Sequence, residues 1–316
     1  MDNLPKNILI TGGLGFIGSQ LARKSLSQGY RVTLLSRSDS KVSNISDIRQ
    51  KVNLIVKDIR DISDEVANKD LIFHLAGTVD NYALTDGEPY RDVEINCNGT
   101  LALLEAVKKY NPSAKIILAS TFFVNGDPKS LPVGPDAPCN PKGMYGATRL
   151  AAEHFCHIYH NIFDLKPVIA RFTNIFGPYE SSHNKKKAVF NRMIGQALRG
   201  EEIKLYNGGD FTRDYIYVDD VVDACLTLAE KGEVDKTYYV ARGEFVKFKT
   251  LVDVIAREIP GTKITSINPP EFHNRAGVSD FVADVSDLKK LGWSPKVSLE
   301  EGIKRTINYC RKNPEF

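Results

Sequence analysis

Tyr145 and Arg149 stand four residues apart in Tyr145-Gly146-Ala147-Thr148-Arg149, at the start of a run that reads as a helix. Residues at i and i+4 share one helix face, so this spacing sets a phenol beside a cation. A free phenol ionises near pH ~10 and exchanges protons poorly at neutral pH, whereas a fixed cation beside it favours the phenolate. Ser120 and Thr121, closing an apolar run, are hydroxyls able to bond both the tyrosine and a substrate oxygen. Tyrosine and arginine at this spacing also decorate ordinary helix surfaces. The pair gains chemical meaning from a second pattern far upstream. There Ile8-Leu9-Ile10-Thr11 stops at Gly12-Gly13-Leu14-Gly15-Phe16-Ile17-Gly18, and an amphipathic helix pattern follows at once. A strand, a tight turn and a helix N-terminus make an anion site, because the helix presents unpaired N–H groups and a partial positive charge. Glycine at 12, 15 and 18 keeps Cβ atoms away from a pyrophosphate. The flanking strand and helix favour dinucleotide binding over an ordinary strand-to-helix turn.

Two further strand ends bear on which dinucleotide is held. Val32-Thr33-Leu34-Leu35 runs into Ser36-Arg37, where NAD-binding chains place a carboxylate on the adenosine ribose. A carboxylate repels a 2′-phosphate and an arginine pairs with one, so Arg37 favours NADP(H) over NAD(H) unless it simply faces solvent. Asp58, after the next strand, is placed either to meet an adenine amine or to cap a turn. His74-Leu75-Ala76-Gly77 ends a fourth strand in small residues that admit a ligand closely. His74 itself reads as a structural hydrogen-bonding residue rather than a base.

Positioning these groups requires an alternating frame, and the chain supplies one. Apolar runs at 7–11, 31–35, 53–57, 71–76 and 115–120 alternate with helix-like patterns, including 16–28 and 94–110. A helix pattern at 145–163 leads to a buried-strand candidate at 166–172. Alternation of this kind implies a parallel sheet covered on both faces, with ligands at the carboxyl ends of its strands. The expected class is α/β, a Rossmann-type doubly wound parallel sheet with a smaller α/β C-terminal substrate lobe. The dinucleotide domain is expected over 1–177 with a later contribution from about 212–240, and the substrate lobe mainly over 178–316. Residues 178–187 read as a basic loop whose lysines are solvated or meet a ligand phosphate. Helix patterns recur near 188–199, 219–231, 248–258 and 299–312.

The bulk numbers narrow the partners. The 316 residues are 42% hydrophobic and 26% charged, with a net charge of only +3, so neither nucleic acid nor an anionic membrane is expected as main partner. The odd number of cysteines, five, with no C-x-x-C pair, points to reduced thiols in a cytoplasmic chain, not a metal cage or disulfide framework. No apolar run reaches the roughly 18–20 residues that span a bilayer, and no signal-peptide pattern precedes the first strand.

Taken together, these residues resemble the extended short-chain dehydrogenase/reductases, in particular the nucleotide-sugar epimerase/dehydratase branch. The resemblance covers nearly the whole chain. Its motifs are Thr11–Gly18, Asp58-Ile59, His74–Gly77, Asn96–Thr100, Ala119-Ser120-Thr121, Tyr145–Arg149, Arg171–Pro178, Arg213–Asp220 and Leu291–Pro295. It implies dinucleotide contacts at Gly12, Gly15, Phe16, Ile17, Ser36, Arg37, Asp58, Ile59, Leu75, Ala76, Gly77, Tyr145 and Arg149. It further implies that Thr121 holds a sugar oxygen, that Tyr145 is the acid and base, and that Arg149 replaces the family's lysine. Asn174, Arg213 and Arg275 would hold the sugar or diphosphate of a nucleotide-linked substrate. A homodimer through the helices near 94–110 and 145–163 is implied as well. Leu101, Leu104, Val107, Phe155 and Ile158 would serve either that contact or the core.

Three departures shape the functional expectation. Arginine at 149 keeps the charge but cannot lose its proton, which leaves tyrosine activation and removes a proton relay. Phe122-Phe123 stand where 4,6-dehydratases of the family carry Asp-Glu and related decarboxylases a Glu, so elimination and decarboxylation are disfavoured. Asn125 replaces the usual tyrosine. Hydride transfer at the sugar C4 remains. With Ser36-Arg37 favouring NADPH, the expectation is a 4-ketoreductase. The alternative is a 4-epimerase that retains its cofactor, and a third reading is a protein that binds dinucleotide or nucleotide sugar without turnover.

Overall fold

The computed structural model describes residues 7–78, 89–183, 188–271 and 280–315. Its first half alternates as the apolar runs require. The order is β1 (Asn7–Thr11), α1 (Phe16–Ser27), β2 (Arg31–Ser36), β3 (Asn53–Val56), β4 (Leu71–His74), α2 (Pro89–Asp92), α3 (Gly99–Tyr110), β5 (Lys115–Thr121), α4 (Met144–Phe163) and β6 (Lys166–Phe172). The second half adds β7 (Asn174–Phe176), α5 (Val189–Leu198), β8 (Ile203–Tyr206), β9 (Tyr215–Tyr217), α6 (Val218–Lys231) and β10 (Thr237–Val240). It ends with α7 (Phe248–Glu258), β11 (Ile264–Ile267), α8 (Ser286–Lys290) and α9 (Leu299–Lys312).

The main sheet runs β10-β6-β5-β4-β1-β2-β3, and every pairing in it is parallel. The chain builds outward from β1 to β3, returns to lay β4 on the other side of β1, and builds outward again. That reversal opens a crevice at the carboxyl ends of β1 and β4, the switch point where ligands of such sheets bind. The fold is the Rossmann-type doubly wound sheet expected from the alternation. Two short parallel pairs, β8 with β11 and β7 with β9, lie outside it.

Leu103, Leu104 and Val107 of α3 and Ala152 and Cys156 of α4 cover one sheet face. Leu104 and Val107 therefore serve the core, while Ile158, Ile162 and Phe163 on α4 stay exposed. The opposite face carries α1 and α6, and its apolar cluster continues without a break into α5, α7 and α9. None of the described helices is long and apolar enough to cross a membrane.

Two buried polar clusters set the strand ends. At β4, His74 Nδ1 lies 2.8 Å from Thr11 Oγ1, and Nε2 lies 3.1 Å from Thr100 Oγ1. Thr100 donates its hydroxyl to Asn96 O, so it accepts from His74 Nε2–H, while Thr11 accepts from Ala76 N–H and donates to Nδ1. The imidazole is neutral and has no spare nitrogen for proton transfer. Burial, with a smaller contribution from the Arg149 charge, holds its pKa down at about 3. At β5 and β6, Arg171 Nε and Nη2 form a two-pronged pair with the Glu153 carboxylate at 3.0 and 2.7 Å, and Ser120 donates its hydroxyl to the same carboxylate. Ser120 and Arg171 are register neighbours on adjacent strands, so the pair clamps α4 to the sheet.

Glu153→Gln leaves the Arg171 charge buried without its carboxylate and is expected to cost about 3–5 kcal/mol in urea denaturation. His74 gives a signed pH dependence. Unfolded histidine binds a proton below about pH 6.5, and the folded site refuses it down to about 3. Stability is therefore lost as pH falls through that window, by about 1.4 kcal/mol per pH unit from this residue. His74→Asn should flatten the slope of unfolding free energy between pH 6 and 4 by one proton.

Candidate active site

At the crevice, Gly12 turns the chain after β1 with φ +68°, a left-handed angle that glycine adopts without strain. Gly15 N–H closes the turn on Gly12 O at 2.9 Å, and α1 begins at Phe16. A Cβ at Gly18 would stand 2.5 Å from Gly12 O, so the helix approaches the turn this closely only with glycine there. No acidic residue occupies the first helical turn, and its N–H groups face the crevice mouth uncompensated.

Beyond β2, Ser36 Oγ bonds Ser38 O at 2.9 Å and Ser38 Oγ meets Ser40 Oγ at 2.9 Å, folding the Ser36–Lys41 loop onto the crevice edge. Asp58 caps the short turn Ile59–Asp61 by accepting Arg60 N–H at 2.9 Å. Its two oxygens also take the Arg60 guanidinium at 3.0 Å each. These hydrogen bonds hold the carboxyl below the usual carboxylate range. The residue caps a turn and lines the crevice at once.

At the other end, Tyr145 sits half-buried on the first turn of α4 with the Phe123 ring edge-on at 6.0 Å. Arg149 is buried, with its Cζ 5.6 Å from the Tyr145 ring centre. Nη1 donates to Ala119 O at 3.1 Å, and Nε, also buried, has no hydrogen-bond partner among the described residues. Thr121 is buried at the end of β5, where its hydroxyl accepts Phe123 N–H at 3.3 Å. The structure accounts for the departures beside it. Phe122 enters an apolar cluster with Tyr239 and Phe281, and Asn125 accepts the Tyr239 hydroxyl and reaches Pro138 O at 3.4 Å.

A cleft of about 570 Å³ joins the two ends. Every residue expected to touch a dinucleotide lies on its wall, from Gly12, Gly15, Phe16 and Ile17, through Ser36, Arg37, Asp58 and Ile59, to Leu75, Ala76, Gly77, Tyr145 and Arg149. A cleft walled by the glycine turn, with an orphaned buried donor beside Tyr145, fits a nicotinamide dinucleotide. Ser120, Phe172, Tyr179, Glu180 and Ser181 also line it. Sequence reasoning missed the last three because a loop after a strand has no periodicity to read.

Two of the residues expected to hold substrate, Asn174 and Arg213, are not among those lining this cleft. Asn174 donates its backbone and side-chain N–H groups to Asp214 O at 3.1 Å each, and the Arg213 guanidinium lies 4.8 Å over the Phe211 ring. Next in sequence to Arg213, the buried Asp214 carboxyl accepts N–H groups of Arg242, Gly243 and Ala283 at 2.9–3.1 Å. Burial pushes its pKa up to about 6 despite those three bonds. Arg275 lies outside the described residues.

Comparison with known proteins agrees with this geometry. The family described as NAD dependent epimerase/dehydratase matches residues 8–241. The UDP-glucose 4-epimerase of Mycolicibacterium smegmatis is 29% identical over 318 residues, covering 97% of this chain and 99% of that protein. The structure of UDP-glucose 4-epimerase from Thermotoga maritima, solved with UDP-glucose, superposes with a TM-score of 0.88 at 31% identity, covering 98% of this chain and 100% of that one. That of the Thermus thermophilus UDP-glucose 4-epimerase with NAD gives 0.85 at 28%, covering 97% and 99%. A glycine-turn cleft ending at a tyrosine and a cation, on a sheet shared with these enzymes along nearly its whole length, places the chain in the NAD-dependent epimerase/dehydratase family.

Proposed function

We propose that the protein is a nucleotide-sugar 4-epimerase acting on a UDP-linked hexose. The observation that carries this reading is the convergence of Tyr145 and Arg149 on the wall of the cleft that the glycine turn opens. The relatives named 4-epimerases support this alternative over the 4-ketoreductase expected from Arg37. A nicotinamide dinucleotide, held by the Gly12–Gly18 turn and the Ser36–Lys41 and Asp58 edges, supplies the hydride acceptor and donor for C4.

The chain's own residues manage the proton and the geometry. Tyr145 takes the proton of the C4 hydroxyl as hydride leaves C4, and returns it when hydride comes back to the opposite face. Arg149 keeps a permanent positive charge beside the phenol, its Cζ 5.6 Å from the ring centre, without entering the proton path. The Thr121 hydroxyl steadies the C4 oxygen, and Asn174, Arg213 and Arg275 hold the sugar and diphosphate. Phe122 sits in an apolar cluster and offers no acid or base, which argues against 4,6-elimination.

Incubated with UDP-glucose, UDP-N-acetylglucosamine or UDP-glucuronate, the protein should convert one of them to its C4 epimer by proton NMR, with no net change in absorbance at 340 nm. Stoichiometric reduction of added oxidised cofactor by one of these C4 alcohols, or oxidation of reduced cofactor by a 4-keto nucleotide sugar, would instead establish the ketoreductase. Tyr145→Phe should lower kcat by about 10²–10⁴-fold while cofactor still binds.

The adenosine end supports a second, separable reading, that the cofactor is NADP(H). Arg37, Ser38, Ser40 and Lys41 line that edge, a set of cation and hydroxyl groups suited to a 2′-phosphate. Arg37→Ala is then expected to weaken NADP(H) binding about 10–100-fold in calorimetry and to leave NAD(H) unchanged. Equal, small effects on both would favour NAD.

A further inference from the structure

Gly77, three residues beyond the end of β4, has no conformational need to be glycine, since its φ lies outside the left-handed region. What excludes a side chain there is Arg149. A Cβ built on Gly77 would overlap Arg149 Nη2 and stand 2.6 Å from Arg149 Cζ and 2.9 Å from Asn96 Oδ1. The surrounding groups are fully engaged. Asn96 Oδ1 accepts Thr78 N–H at 3.0 Å, and Nδ2 faces Thr78 Oγ1 and Thr148 Oγ1 at 3.1 and 3.0 Å. Thr78 in turn donates its hydroxyl to the buried Asp92. On the guanidinium's other side Nη1 is tied to Ala119 O at the end of β5. With Asn96 bonded on three counts and the β5 carbonyl part of the sheet, the group that must move for a Cβ is the guanidinium.

We propose that Gly77 is a positioning residue whose missing side chain forms the socket for Arg149 Nη2, setting the guanidinium beside Tyr145. Gly77 and Arg149 are then a matched pair. A planar guanidinium needs room for two terminal nitrogens, whereas a lysine at 149 ends in one and leaves the volume over Gly77 free. The glycine serves the arginine first and the approach of a cofactor second. This inference rests on the assignment of Tyr145 as acid and base.

A double-variant cycle with Gly77→Ala, Arg149→Lys and their combination tests it. NAD(H) binding is measured by calorimetry for each protein, with thermal melting alongside. Neither measurement needs substrate, so the result stands apart from whether the protein epimerises any UDP-sugar. In the Arg149 background Gly77→Ala displaces the cation and should weaken NAD(H) binding about tenfold. In the Arg149→Lys background the same change should alter it by less than about twofold. Should Gly77→Ala fail to fold, recovery of cooperative melting in Gly77→Ala/Arg149→Lys supports the pairing equally. Equal effects of Gly77→Ala in both backgrounds, or a combined variant as unstable as the single one, would overturn it.

Discussion

A buried ion pair, Glu153 with Arg171, is the constraint on which the Tyr145 end of the cleft depends. Both side chains are almost wholly removed from water, with 2% and 6% exposure, and neither charge could be tolerated there alone. Satisfying it requires α4 to lie against β6 at one height, because the guanidinium meets the carboxylate by two nitrogens at once. Glu153, Arg149 and Tyr145 follow one another at four-residue steps along the helix. Fixing the first fixes the rotation and depth of the other two. The Ser120 hydroxyl, held by the same carboxylate, extends the constraint to the strand that ends in Thr121.

Around that clamp the molecule keeps charges still rather than making them available. His74 is held neutral between two threonines, and its place is to join β1, β4 and α3 where the cleft begins. Arg171 spends a further nitrogen on Pro135 O. Arg149 stands apart from these, since it retains a buried donor with no partner among the described residues and faces the cleft. Among the described residues, this contrast between saturated buried charges and one under-satisfied cation sets Arg149 apart from the structural pairs.

Much of the frame was legible in the residue order. The runs at 7–11 and 166–172 and the helix patterns at 248–258 and 299–312 coincide with β1, β6, α7 and α9. The departures have local physical reasons. The run at 71–76 stops pairing at His74, because Leu75 and Ala76 leave the sheet to line the cleft. The helix expected from 94 starts at Pro89 and passes through a wide turn over Val93–Asn98, whose wider spacing turns Asn96 toward Thr78 and Thr148. The pairings of β7 with β9 and β8 with β11 have no counterpart in the pattern, since strands of three or four residues show too few alternations to read.

By itself, the sequence determined the periodicities that make a doubly wound sheet, the glycine turn at its switch point, and a tyrosine and a cation on one helix face. Each is a matter of near neighbours along the chain, where spacing alone dictates geometry. Tertiary structure alone decided what those groups meet. Phe122 and Asn125, read from the sequence only as departures, became parts of the contact between β10 and the loops around it. Asn174 was tied to the Asp214 backbone carbonyl, and the Arg213 guanidinium to Thr212 O and the Phe211 ring. Arg149 found its space over a glycine at the end of a distant strand. Such meetings depend on volume and desolvation between residues far apart in the chain, and no local spacing encodes them.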